Sequence, residues 1–116
     1  MVKALMKGVV GALLLGGVAF AQTPDPAKVA AGEKVYADQK CATCHQIKGV
    51  GSKISPLDGV GTKLAAADLR KWFTNPADME AKLAKKPIAS MAGYLKTHKL
   101  ADADIDALVA YMQSLK

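Results

Sequence analysis

Cys41-Ala42-Thr43-Cys44-His45 is the stretch of this 116-residue sequence with the most specific chemistry. Two thiols three residues apart, followed at once by a histidine, form the C-x-x-C-H sequence of covalent c-type haem attachment. In a helical turn the two thiols share a face. Both can then form thioethers with the two vinyl groups of one haem. His45, four residues after Cys41, projects towards the same porphyrin and offers an imidazole nitrogen to the iron.

Three other readings of this motif are weaker. A thioredoxin-like redox pair needs a βαβ context, and no run of β-branched alternation occurs anywhere in the chain. A structural zinc site usually takes four nitrogen or sulfur ligands, whereas only Cys41, Cys44, His45 and the distant His98 are available. A structural disulfide between Cys41 and Cys44 would close a very short loop and constrain the unfolded chain little.

An iron held by His45 has a second axial position. Met79, Met91, Met112 and His98 are the candidates for it. Met112 fits an apolar helical stripe and reads as core filler. Met79 follows Asn75-Pro76 and reads as cover for the haem edge. His98, between Lys96 and Lys99, reads as a solvated histidine. Met91 follows Pro87 in a segment expected to be irregular and stands as a candidate beside Met79, His98 and an open position.

These groups need a scaffold, and the chain is predicted to supply helices. Asp25-Pro26 reads as an N-cap with proline at the first helical position, opening a helix to about residue 38. Within it Val29, Gly32, Val35 and Tyr36 lie near one face, and Gly32 would let another helix come close. Residues 48–63 hold Gly49, Gly51, Pro56, Gly59 and Gly61 without a helical period and read as loop. A helix is expected over 64–73, interrupted by Asn75-Pro76, with a further short one over 78–85. The clearest element is the last: Ile105, Leu108, Val109, Met112 and Leu115 recur at helical spacing. Ala101 precedes it, so Asp102 is expected to be its cap. No substantial sheet is expected.

The N-terminus reads differently. Lys3 and Lys7 precede an uncharged apolar run over 8–20, and Ala19-Phe20-Ala21 fits the small-x-small cleavage rule. Residues 1–21 are therefore expected to be a cleaved signal peptide and 22–116 a single exported domain. The run falls short of the roughly 20 residues a membrane span requires. Loss of Lys3 and Lys7 lowers the formal net charge from +6 to +4. That modest charge and the scarcity of aromatics disfavour nucleic-acid binding. A domain of this size has a small core, in which a cofactor matters for stability.

From Cys41 to His45 outward, residues 22–116 resemble the class I cytochromes c, specifically the small bacterial monohaem type. Gly32-x-x-x-Tyr36 before the motif and Leu108-x-x-Tyr111 near the end are similar to that family's crossing terminal helices. Pro56-Leu57-x-Gly59 is similar to the loop whose proline carbonyl accepts a hydrogen bond from the iron-bound histidine. Residues 69–76 are similar to its haem-lining helix, and Met91 stands at its ligand position. The segment between Asn75-Pro76 and Met91 is longer than in mitochondrial-type members.

The resemblance implies an all-α cytochrome c fold of about four helices with long loops around one covalent haem c. Cys41 and Cys44 would attach it, His45 and Met91 would bind the iron, and Pro56 would orient His45. Trp72, Phe73 and Tyr94 would pack around it. The function implied is a periplasmic, monomeric electron carrier without enzymatic activity. Its partners would be larger redox proteins with acidic patches, met by Lys40, Lys48, Lys53, Lys82, Lys85, Lys86, Lys96 and Lys99. A haem subunit of a fixed oxidoreductase complex and an open-site ligand-binding protein are the alternatives.

Overall fold

Asp25 begins the first helix by turning its side chain back on the backbone: the carboxylate accepts from the Ala27 N–H at 2.9 Å. Pro26 follows at the first helical position, where its missing N–H leaves no bond unmade. The computed structural model describes residues 23–116. The expected signal peptide, residues 1–21, lies outside the described residues. Helix α1 runs Pro26–Asp38. Lys40, in the left-handed region at φ 55°, then turns the chain into a 3-10 turn, Cys41–Thr43.

Three very short strands follow: β1 (His45–Ile47), β2 (Val50–Gly51) and β3 (Ser55–Pro56). Lys48 and Gly49, both with positive φ, join β1 to β2, as a tight type I′ hairpin requires. β1 lies between the others, antiparallel to β2 and parallel to β3. At Gly51, φ +108°, an added Cβ would run into the His45 carbonyl oxygen. This fragment is too small to be a layer, in keeping with the expected lack of a substantial sheet. Its effect is local, since it fixes the backbone on either side of His45.

The rest is helical: α2 (Val60–Lys63), α3 (Ala66–Thr74), α4 (Pro76–Ala81), α5 (Met91–Thr97) and α6 (Asp102–Ser114). The four expected helices are α1, α3, α4 and α6. Helix α4 starts two residues before the expected Asp78, because Pro76 occupies its first position, and stops at Ala81 instead of running to 85. Two short helices, α2 and α5, join them. Helix α6 is not capped by Asp102. Ala101 holds the cap position, and the Asp104 carboxylate accepts from its N–H at 3.3 Å.

The core runs along α6. Its predicted stripe of Ile105, Leu108, Val109, Met112 and Leu115 is buried throughout, and Leu108 is 1% exposed. Burying a leucine this fully contributes roughly 1.5–3 kcal/mol. Ile47 of β1 and Leu69 of α3 complete the cluster. Helix α1 packs chiefly on α6, and Gly32 is where they touch. A Cβ there would strike the Ala107 carbonyl oxygen and stand 2.6 Å from Tyr111 Cβ. Beside this crossing, the Tyr36 and Tyr111 rings meet edge to face, with centroids 5.7 Å apart. Arg70 of α3 pairs with Asp106 of α6 on the surface.

Among the described residues no helix is long and apolar enough to cross a membrane.

Candidate haem site

Cys41 and Cys44 stand at the start and just past the end of the 3-10 turn that α1 delivers. Both are free thiols and both are partly buried. Burial, the largest cause, pushes the Cys41 thiol up to about 11; its backbone hydrogen bond lowers it and the neighbouring Cys44 raises it further. Redox-active C-x-x-C pairs depend on a lowered thiol pKa. A raised one argues against thioredoxin-like chemistry. Among the described residues no group of three or more His, Cys, Asp or Glu is placed to hold a metal ion.

His45 opens β1. Its Nδ1 lies 2.9 Å from the Ser55 carbonyl oxygen. A carbonyl can only accept, so Nδ1 carries the proton and Nε2 is left with its lone pair. That is the tautomer a metal-binding imidazole needs, and the contact holds the ring plane. The acceptor differs from the sequence-based expectation. It is the carbonyl of Ser55, not that of Pro56. The reason is register: parallel pairing sets His45 opposite Ser55 and Gln46 opposite Pro56. Leu57 N–H donates to the Gln46 carbonyl at 2.9 Å, which locks β3 in this alignment. Pro56 therefore supports His45 indirectly, as part of the strand.

Cys41, Cys44 and His45 line one cavity of about 680 Å³, within the roughly 300–1,000 Å³ typical of cofactor sites. Leu69, Trp72 and Phe73 of α3, Leu108 and Met112 of α6, and Tyr94 of α5 contribute to its walls. A large flat apolar group with one edge bonded to two thiols is what such a space suits. The lining, the two thiols and the proton on Nδ1 together fit a covalently held haem.

Of the four candidates for the second axial position, Met91 and Met112 line this cavity, whereas Met79 and His98 are not among its lining residues. Met112 is 3% exposed and belongs to the core cluster, as its helical spacing predicts. His98 stacks on Tyr94, ring centroids 3.8 Å apart, and its Nδ1 donates to the Tyr94 carbonyl. Met91 is at the cavity, but not in an irregular segment. It is the first residue of α5, after the N-cap Ser90.

The cytochrome c family model matches residues 29–116. This chain belongs to the cytochrome c family. No curated protein and no solved structure gave a match. The match takes in α1 almost whole, the attachment turn, the cavity walls and α6. Cytochromes c bind haem c and use it for electron transfer, and the family acts in general as electron carriers. In this member Cys41 and Cys44 occupy positions that fit covalent attachment.

Two features of the site were not read from the sequence. Glu80 of α4 lines the cavity and binds the start of α5. Tyr94 reaches across to the end of α1, where its hydroxyl donates to the carbonyl of the C-cap Gln39 at 2.7 Å. Both join residues far apart in sequence, so no local pattern announces them.

Proposed function

We propose that this chain is an exported, periplasmic, monohaem electron carrier. Its haem c would be bonded through Cys41 and Cys44 and bound axially by His45 and Met91. The observation that carries this reading is that all four side chains line one cavity with apolar walls. When bound, the haem supplies one-electron exchange between ferrous and ferric iron. The protein does the rest. His45 is held by Ser55 with Nε2 available, and Met91 offers a soft thioether that favours ferrous iron and raises the potential. Two protein ligands leave no position for a substrate, so this site transfers electrons and catalyses no bond chemistry.

The cavity opens to solvent where its lining residues are exposed: Lys40, Ile54, Leu83, Lys85, Lys86 and Ile88. Ile88 is 86% exposed. An apolar patch with lysines beside it suits brief docking to an acidic patch of a larger redox protein. The charges speed encounter, and the small contact permits release. Lys48, Lys53, Lys82, Lys96 and Lys99 are also exposed and extend the positive field.

The test is protein made with the haem-attachment machinery and purified in the reduced state. One haem per chain and slow or absent carbon monoxide binding are expected. Rapid carbon monoxide binding to the native reduced protein would mean an open iron and overturn the carrier reading.

A further inference from the structure

Among the described residues lining the cavity, Glu80 is the one carboxylate. Lysines follow it at 82, 85 and 86, yet its oxygens are given to the chain that carries Met91. Ala92 N–H donates to Glu80 Oε2 at 2.7 Å, in a half-buried setting. Ser90 Oγ donates to the same carboxylate, 3.1 and 3.2 Å from its two oxygens. The Ser90 hydroxyl in turn accepts from Gly93 N–H at 3.0 Å. The residues immediately before and after Met91 are thus both tied to one side chain of α4.

The connection needs such a tie. Residues 82–89 form no helix or strand, and all but Pro87 are exposed. A segment with so few buried contacts opens readily. Helix α5 is short, and its first-turn N–H groups have no partner within the helix. Glu80 and Ser90 together satisfy two of them. Bonds to an ionised acceptor are about twice as strong as neutral ones.

We infer that Glu80 is a positioning residue for the second axial ligand. It holds the backbone on both sides of Met91 and so sets how readily the thioether leaves the iron. The inference rests on the reading of Met91 as that ligand.

Imidazole binding to the ferric holoprotein, followed beside the weak far-red sulfur-to-iron band, reads this directly, because an exogenous ligand competes with Met91. Glu80→Ala removes the bonds from both Ala92 and Ser90 and should raise imidazole affinity about tenfold or more, tenfold being about 1.4 kcal/mol. Glu80→Gln keeps an oxygen for Ala92 N–H but not the charge, and should fall between wild type and Glu80→Ala. Should Glu80→Ala fail to accumulate with haem, Ser90→Ala cuts the Glu80 link together with the Gly93 cap, leaves the Ala92 bond in place, and should likewise raise affinity. Wild-type affinity in Glu80→Ala, or in Ser90→Ala where that variant stands in for it, with the far-red band intact, overturns the inference. So does an equal rise in Glu80→Gln and Glu80→Ala, since the hydrogen bonds would then not be the cause. A wild-type protein lacking the far-red band, with a spectrum unchanged by Met91→Ala, overturns the ligand assignment itself and the inference with it.

Discussion

His45 donates from Nδ1 to the main-chain oxygen of Ser55, 2.9 Å away, and the parallel pairing of β1 with β3 puts those two residues opposite each other. A backbone acceptor cannot be removed by changing a side chain. The orientation of the imidazole therefore depends on strand register more than on any one residue type.

Pro56→Ala should accordingly leave the His45 contact in place, because the Ser55 carbonyl and the Leu57–Gln46 hydrogen bond remain. The midpoint potential of the variant should match wild type. Loss of the His45 Nδ1 proton signal in nuclear magnetic resonance spectra, with a displaced potential, would show that Pro56 acts directly.

Gly32→Ala sets helix propensity against packing. Alanine would favour an isolated helix by roughly 1 kcal/mol. At this position its Cβ collides with the Ala107 carbonyl, and overpacking of a fixed backbone costs about 1–3 kcal/mol. A net loss of stability is expected in guanidinium unfolding of the holoprotein. Equal or greater stability would mean that α1 and α6 separate without penalty.

The helices at the two ends of the domain were legible because their signals are local. Asp25-Pro26 marks a start, and the Ile105-to-Leu115 stripe marks a buried face. Met91 was legible as a ligand candidate, but its helix was not. Ser90 caps it through the local bond from Gly93 N–H, a signal the segment after Pro87 did offer, whereas the Glu80 contact that braces the cap spans ten residues. The Pro56 expectation failed by one position for a related reason. Strand register is settled by pairing, and two-residue strands such as Ser55–Pro56 carry no period that would reveal it.

Tyr36 predicts a pH dependence. Burial above all, with smaller contributions from Tyr111 and Asp58, pushes its hydroxyl up to about 12 from the usual 10. The native state then binds more protons than the unfolded chain between about pH 10 and 12. Stability contributed by the neutral phenol is full below pH 10 and is lost as pH rises through about 12. Tyr36→Phe keeps the edge-to-face ring against Tyr111 and should flatten this part of the alkaline unfolding curve. An unchanged slope would assign the dependence to other groups.

Charge reversal at Lys85 and Lys86 tests the docking face. With an acidic redox partner at low ionic strength, the double glutamate variant should transfer electrons about tenfold more slowly, the lower end of the range for electrostatic steering. Its rate should also lose the fall with added salt that the wild type shows. Equal rates and equal salt dependence would place the docking surface elsewhere.

Met91 and His45 should together hold one iron in the cavity they share. Optical spectra of the holoprotein, oxidised and reduced, test it most directly when wild type is compared with Met91→Ala. Reduced wild type should show sharp c-type bands and reduced Met91→Ala broadened ones, with the far-red sulfur-to-iron band present only in oxidised wild type. A far-red band that survives Met91→Ala, or is missing from wild type, would contradict it.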